Sequence, residues 1–170
     1  MDVEIIERKP MKLAGVSYYG PMTGEGWSKD NPIGQLWTRF VEFWNARAGL
    51  LEGRMVDRDT HYEVHIWNQE VFDETGVFRT FVGVEVESLD GLPLELEGKC
   101  LPATRYAKVT ARGEEIKTWE SRWTEVLPPE KNKLAKYDGL EYLIQCYDER
   151  FKGLENIPES EMDILVPLED

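Results

Sequence analysis

The chain has 170 residues, 41% of them hydrophobic, which is enough for one domain or two small subdomains with a real core. A net charge of −13 repels phosphate backbones and excludes a general nucleic-acid binder. No run approaches the roughly 18 apolar residues of a membrane span, and the opening MDVEIIERK is too acidic for a secretory signal. The two cysteines, Cys100 and Cys146, both sit in apolar, strand-like contexts. They read as buried thiols of a protein in a reducing, cytoplasmic setting rather than as a disulfide framework.

In chain order, Val3, Ile5 and the stretch 13–19 predict a pair of strands interrupted at Lys9 and Pro10. A Gly-rich loop follows, with Gly20, Pro21, Gly24 and Gly26. A helix is expected from Asn31, capped by Asp30 or Asn31 with Pro32 in the first turn, where its missing N–H is not needed. Ile33, Leu36 or Trp37, Phe40, and Phe43 or Trp44 recur at helical spacing, and Gly49 is a plausible stop. Residues 62–67 and 78–86 alternate as strands, joined by a turn at 73–76. In the second of these, Val82, Val84 and Val86 point one way, and Phe81, Gly83 and Glu85 the other.

The stretch 89–101 reads as a connector. Residues 104–110 form the next strand. Gly113 opens a helix with an inward face of Ile116, Trp119, Trp123 and Val126, ended by Pro128 and Pro129. Strands at 142–147 and 162–168 complete the chain. The pattern therefore repeats: an α+β half over about 1–88 and another over about 100–170, without sequence identity between them. Two such halves facing each other create a cleft at their junction, where small molecules usually bind.

No phosphate-cradling loop, dinucleotide fingerprint, nucleophile elbow or zinc-ligand spacing is present, so no cofactor and no metal is expected. His61 and His65 are four apart on a strand, which separates them by roughly 13 Å. What remains is a set of polar residues inside apolar strands. Glu85 is either a cleft carboxylate, serving as counter-ion to a lipophilic cation or as a general base, or an ordinary exposed one. Gln145, on the face of Leu143 and Tyr147, is a buried amide that a bound molecule or a neighbouring backbone group must satisfy. Pseudo-symmetry would set His65 facing Gln145 and Trp67 facing Tyr147 across the cleft. Trp37, Trp44, Trp119 and Trp123 are core by default, with one or two of the six tryptophans free to act as cleft walls.

Five segments in order carry a resemblance: VEIIERKPMKLAGVSYYG, LWTRF, FVGVEV, LPATRYAKVTARG and IQCYDERF with SEMDILVPL. Together, over nearly the whole chain, they resemble the gyrase-inhibitor-like (GyrI-like) effector-binding domain. The resemblance implies an α+β fold, with tandem βαββ modules related by a pseudo-two-fold axis around a central cleft, as one domain over 1–170. It implies ligands that are flat, lipophilic and often cationic. That family includes drug-sensing portions of transcription regulators, stand-alone gyrase inhibitors and small hydrolases of cyclopropane-bearing toxins. It commonly carries a glutamate in a Phe-Glu-x-Tyr pattern, where this chain has Ile144, Gln145, Cys146 and Tyr147. A neutral amide neither neutralises a cation nor acts as a base, so Glu85 or Glu63 would have to supply the charge. Residue 1 already begins the effector module, so no DNA-binding partner domain is expected in the chain.

The expected function is a small-molecule-binding protein that senses or sequesters its ligand. Its contacts would come from Gln145, Tyr147, Trp67, His65 and Glu85, with Trp37 and Tyr106 as further candidates. No direct nucleic-acid or membrane partner is expected. The alternatives are a hydrolase with Glu85 as base and a protein-binding inhibitor whose acidic surface mimics DNA toward an enzyme such as gyrase.

Overall fold

The computed structural model describes residues 1–126, 136 and 138–169. The expected stop at Pro128 and Pro129 lies outside these residues, as do the side chains of Trp123 and Val126. Eight antiparallel strands form one sheet: β1 (Asp2–Arg8), β2 (Met11–Pro21), β3 (His61–Trp67), β4 (Val77–Glu85), β5 (Glu97–Leu101), β6 (Thr104–Arg112), β7 (Glu141–Tyr147) and β8 (Glu161–Leu168). Their order is β1-β6-β8-β7-β3-β4-β2-β5. The fold is α+β and the repeat is visible in this order. One module runs β2, helix α1 (Pro32–Arg47), β3, β4, and the other runs β6, helix α3 (Trp119–Val126), β7, β8. They meet at the β3–β7 ladder, about which the order is symmetric.

The remaining strands are exchanged. β1 pairs with β6 of the second module, and β5, inside the stretch expected to be a connector, pairs with β2 of the first. This exchange bends the sheet. β1 and β2 stand six places apart in the order, about 29 Å across a flat sheet, yet only Lys9 and Pro10 join them. Three residue steps span at most about 11 Å. Pro102 and Ala103 impose the same constraint between β5 and β6. The sheet must therefore curl until its edges approach. Its concave side holds a core drawn from all eight strands, including Ile6, Leu13, Val64, Phe81, Leu101, Tyr106, Ile144 and Leu165. Gly15 and Gly83 pair directly in the β2–β4 ladder, and a Cβ on Gly15 would overlap the Val82 carbonyl.

Helices cover the other face. Asn31 caps α1: its Oδ1 accepts from the Gly34 N–H at 2.8 Å, and its Nδ2 donates to the Glu25 carbonyl at 2.8 Å. Leu36, Phe40 and Phe43 then bury against Ala14, Val16, Val82 and Val84. Each such side chain contributes about 1.5–3 kcal/mol. The helix ends at Arg47 and continues as a 3-10 turn through Gly49 to Leu51. The rings of Phe40 and Trp44 also enclose His61, with centroids at 5.7 and 5.0 Å.

Three local expectations are corrected. Residues 73–76 are not a simple turn. Helix α2 (Gln69–Thr75) fills the connection, capped by Asn68 and ended by Gly76 at φ 69°. Gly113 opens a 3-10 turn, and α3 starts only at Trp119. Of the two thiols, Cys100 is exposed on edge strand β5, while Cys146 is buried and desolvation pushes its thiol up to about 12.

Two outcomes follow from this packing. Gly15→Ala should cost about 1–3 kcal/mol through overpacking against the β4 backbone, read as a lower urea midpoint at unchanged slope. His61 has its pKa lowered from 6.5, chiefly by burial, with Asp59 and Asp57 opposing. The unfolded chain then binds the extra proton first, so stability falls as pH drops below about 6.5. His61→Phe should flatten the stability profile between pH 7 and 5 in equilibrium denaturation; an unchanged profile would show that His61 does not contribute to it.

Candidate functional site

The β3–β7 ladder forms the floor of the groove between the helices. β3 alternates strictly. Tyr62, Val64 and Ile66 enter the concave core, while His61, Glu63 and His65 point to the helical face. On β7, Tyr142, Ile144 and Cys146 enter the core, and Gln145 and Tyr147 point to the same groove. Above this floor lies a cavity of about 920 Å³. A second stripe of α1, Ile33, Trp37 and Val41, makes one wall, set beside the stripe that packs on the sheet. Phe151 and Leu154 make the other wall.

Trp27 spans the groove from the loop before α1 and packs against the second module's core. It is held at φ 55°, in the left-handed region that a bulky side chain rarely adopts. Lys29 of the same loop pairs with Glu155 at 3.6 Å.

Glu63 lies at the bottom of the cavity with 4% of its surface exposed. Both its oxygens are occupied. Trp37 Nε1 donates to Oε2 at 2.5 Å, and His65 Nε2 stands 2.6 Å from Oε1. An uncompensated buried carboxylate is costly, and these two donors offset that cost. Directly opposite in the ladder is Gln145, 2% exposed, whose Oε1 accepts from the Tyr147 hydroxyl at 2.5 Å. Burial, with the charges of Glu63 and Glu120 adding, holds the Tyr147 phenol well above its ordinary range, so it remains a donor. Rings ring the carboxylate: Trp37 and Tyr147 meet edge to face at 5.1 Å, and Tyr147 and Phe151 at 4.8 Å. A buried negative charge framed by aromatic rings can pair with a cation and stack on its apolar substituents.

Four of the seven residues expected from the sequence converge here: Gln145, Tyr147, His65 and Trp37. Trp67, Glu85 and Tyr106 do not. Glu85 occupies the opposite face because its valine neighbours pack under α1. It pairs there with Arg8 at 3.1 Å, beside Tyr62. Tyr106 is fully buried on the concave side, its hydroxyl 3.1 Å from that of Tyr142. Trp67 lies beyond the groove and donates its indole N–H to Gln69.

The facing pairs are also corrected. The ladder sets Glu63 opposite Gln145, His61 opposite Tyr147 and Trp67 opposite Glu141. Residues related by a two-fold axis between antiparallel strands lie on either side of that axis, not across from each other. His61 and Glu63, the latter named from the sequence only as a possible source of charge, line the cavity beside Trp27 and Phe151, and none of the four was among the expected contacts. The signal for the first two was present: polar residues at every odd position of His61–Trp67's first five, alternating with apolar ones in a strand that proves central.

The sequence model of the family described as integron-associated effector binding protein (Cass2) matches residues 4–168. Among curated proteins no sequence matches. Among solved structures, SAV2435 bound to tetraphenylphosphonium superposes with a TM-score of 0.70 at 11% identity, over 99% of this chain and 94% of that one. The C-terminal domain of EcmrR gives 0.63 at 13% identity, over 99% and 98%. The integron cassette protein from the mobile metagenome of Vibrio cholerae gives 0.59 at 19% identity, over 98% and 95%. At these identities the likeness to the solved structures is one of fold, and the fold is that of GyrI-like effector-binding domains, as the resemblance implied. With the family match spanning nearly every residue, the chain belongs to the integron-associated effector binding proteins.

Proposed function

We propose that this protein binds lipophilic, planar aromatic cations in the cavity between its two modules, sensing or sequestering them as one effector-binding domain over residues 1–170. The observation that carries this reading is Glu63, a carboxylate buried beneath Trp37 and Tyr147 at the floor of a cavity of about 920 Å³. That volume accommodates a drug-sized molecule. The tetraphenylphosphonium bound by the similarly folded SAV2435 supports a lipophilic aromatic cation as ligand; its four rings stand tetrahedrally about phosphorus, so it does not bear on planarity.

Glu63 takes the part that Gln145 cannot. It supplies the negative charge, while Gln145 and Tyr147 offer oriented dipoles from the neighbouring strand. Apolar burial against Trp27, Trp37 and Phe151 supplies most of the affinity, and Glu63 selects for charge. His65 contacts the ligand indirectly, through Glu63. Association is helped by the acidic surface, since a net charge of −13 raises the local concentration of cations. No helix among the described residues is long and apolar enough to cross a membrane.

The test is titration with tetraphenylphosphonium, followed by tryptophan emission and by thermal shift. Trp27 and Trp37 line the cavity, so saturable quenching is expected. Ligand at about 100 times its dissociation constant should add roughly 2.7 kcal/mol of stability. Glu63→Gln should weaken the cation by roughly tenfold or more, as expected when a contact worth at least about 1.4 kcal/mol is lost. It should leave neutral triphenylphosphine oxide nearly unaffected. Glu85→Gln should change neither. Equal loss of both probes in Glu63→Gln would mean the carboxylate shapes the cavity rather than reading charge.

A further inference from the structure

We infer that His65 is a resident counter-ion of the binding cavity, so that a cationic ligand binds in exchange for a proton released from this histidine. The inference rests on the cation-binding reading of Glu63 and adds to it a condition under which binding occurs.

The geometry is that of an internal ion pair. His65 Nε2 and Glu63 Oε1 stand 2.6 Å apart, with 12% and 6% of the two side chains exposed. A protonated imidazole there neutralises Glu63 in the empty cavity. A cationic ligand brought to Glu63 then meets a like charge a few ångströms away, in surroundings where such repulsion is poorly screened. Loss of the His65 proton to solvent removes that repulsion. The overall step is protein with protonated His65 plus cation giving the complex with neutral His65 plus one proton in water, so charge balances.

A second polar group stands opposite His65. Thr80 lies directly opposite it in the β3–β4 ladder, and the Thr80 hydroxyl is buried without a hydrogen-bond partner. Side chains opposite each other in a ladder have Cβ atoms about 5 Å apart. An imidazolium has no acceptor nitrogen, whereas neutral imidazole accepts one bond and donates one. Once neutral, His65 presents an acceptor nitrogen for the Thr80 hydroxyl proton, which the imidazolium lacks.

The groups facing His65 leave few others that could produce the same pH response. On β4 its neighbours are Thr80 and Phe78, the latter 5.4 Å away ring to ring, and neither is charged. On β7 Leu143 stands opposite it, with Gln145 and the carboxylate of Glu141 diagonal to it on the same face, and α1 contributes Trp37, which donates to Glu63, and Glu42 on the cavity wall. The other charged groups of the cavity wall are Lys29 and the carboxylates Asp59, Glu120, Asp148 and Glu149. Carboxylates, ammonium groups and phenols ordinarily change charge outside the neutral range. Among the described residues of this cavity, that leaves His65 and His61. His61 is two residues from Glu63, enclosed by Phe40 and Trp44, and serves as the control.

The experiment measures tetraphenylphosphonium and triphenylphosphine oxide binding by the full chain between pH 5.5 and 8. Cation affinity should rise with pH, by up to roughly tenfold per unit where one proton is exchanged, while the neutral oxide stays flat. His65→Gln keeps a donor for Glu63 without the charge. It should bind the cation more tightly than wild type at pH 6 and lose the pH slope, whereas His61→Gln should keep it. Calorimetry of the unsubstituted protein at pH 6.5, in two buffers of different ionisation enthalpy, should show release of a fraction of a proton up to one per cation bound. Cation binding that is flat with pH, a slope that survives His65→Gln or vanishes in His61→Gln, or no proton release overturns this inference and leaves the cation reading standing. No cation binding at any pH overturns both.

Discussion

The β3–β7 ladder is the constraint on which the rest of this structure depends. It is the seam through which two βαββ modules become one sheet, and it lies on the pseudo-two-fold axis of the strand order. Because opposite residues in an antiparallel ladder share a face, the seam brings Glu63, His65, Gln145 and Tyr147 onto a single small floor. Neither strand could do this alone. The helices lie over the outer strands of each module and leave the seam uncovered, so the groove is a consequence of topology before any residue is chosen to line it.

The second constraint is the exchange of β1 and β5 between modules. With only two residues joining each exchanged strand to its neighbour in sequence, the sheet has to curl, and both of its faces become interior in part. This explains why the strands read as they do. In a flat sheet with one wet face, polar residues on alternate positions would meet water. Here Glu85 and Glu63 lie on opposite faces and both are largely withdrawn from water, and each has a partner: Arg8 for Glu85, Trp37 and His65 for Glu63. The partners differ in kind. Arg8 is a permanent cation that satisfies Glu85 as a structural pair. Glu63 is held by an indole and an imidazole, neither of which carries a fixed charge.

The substitution pattern across the seam follows the same logic. A neutral Gln145 on β7 is compatible with cation binding because Glu63 stands directly opposite it. Two carboxylates facing each other in a buried ladder would repel, and one would take up a proton. A glutamate on one strand and an amide on the other keep a single negative charge on the floor. The Tyr147 hydroxyl completes the arrangement by donating to the amide rather than competing for the carboxylate.

Much of this was legible in the amino-acid sequence. Helix α1, with its Asn31 cap and Pro32, the alternation of the strands, the repeat of two α+β halves and the face on which Gln145 and Tyr147 lie are all local, set by periodicity and cap chemistry that act over a few residues. His61 and the choice of Glu63 over Glu85 were not legible, because alternation says which residues share a face and not what covers it. That choice came from α1 settling on Val82, Val84 and Val16, and from short connectors that curl the opposite face into a core. Local pattern was enough for most of the elements and for the alternating faces of the strands, though not for β5 or α2. Which face became the cavity, and which carboxylate it kept, was settled by packing, since the pairing of β3 with β7 joins residues 74 to 86 positions apart that no local pattern connects.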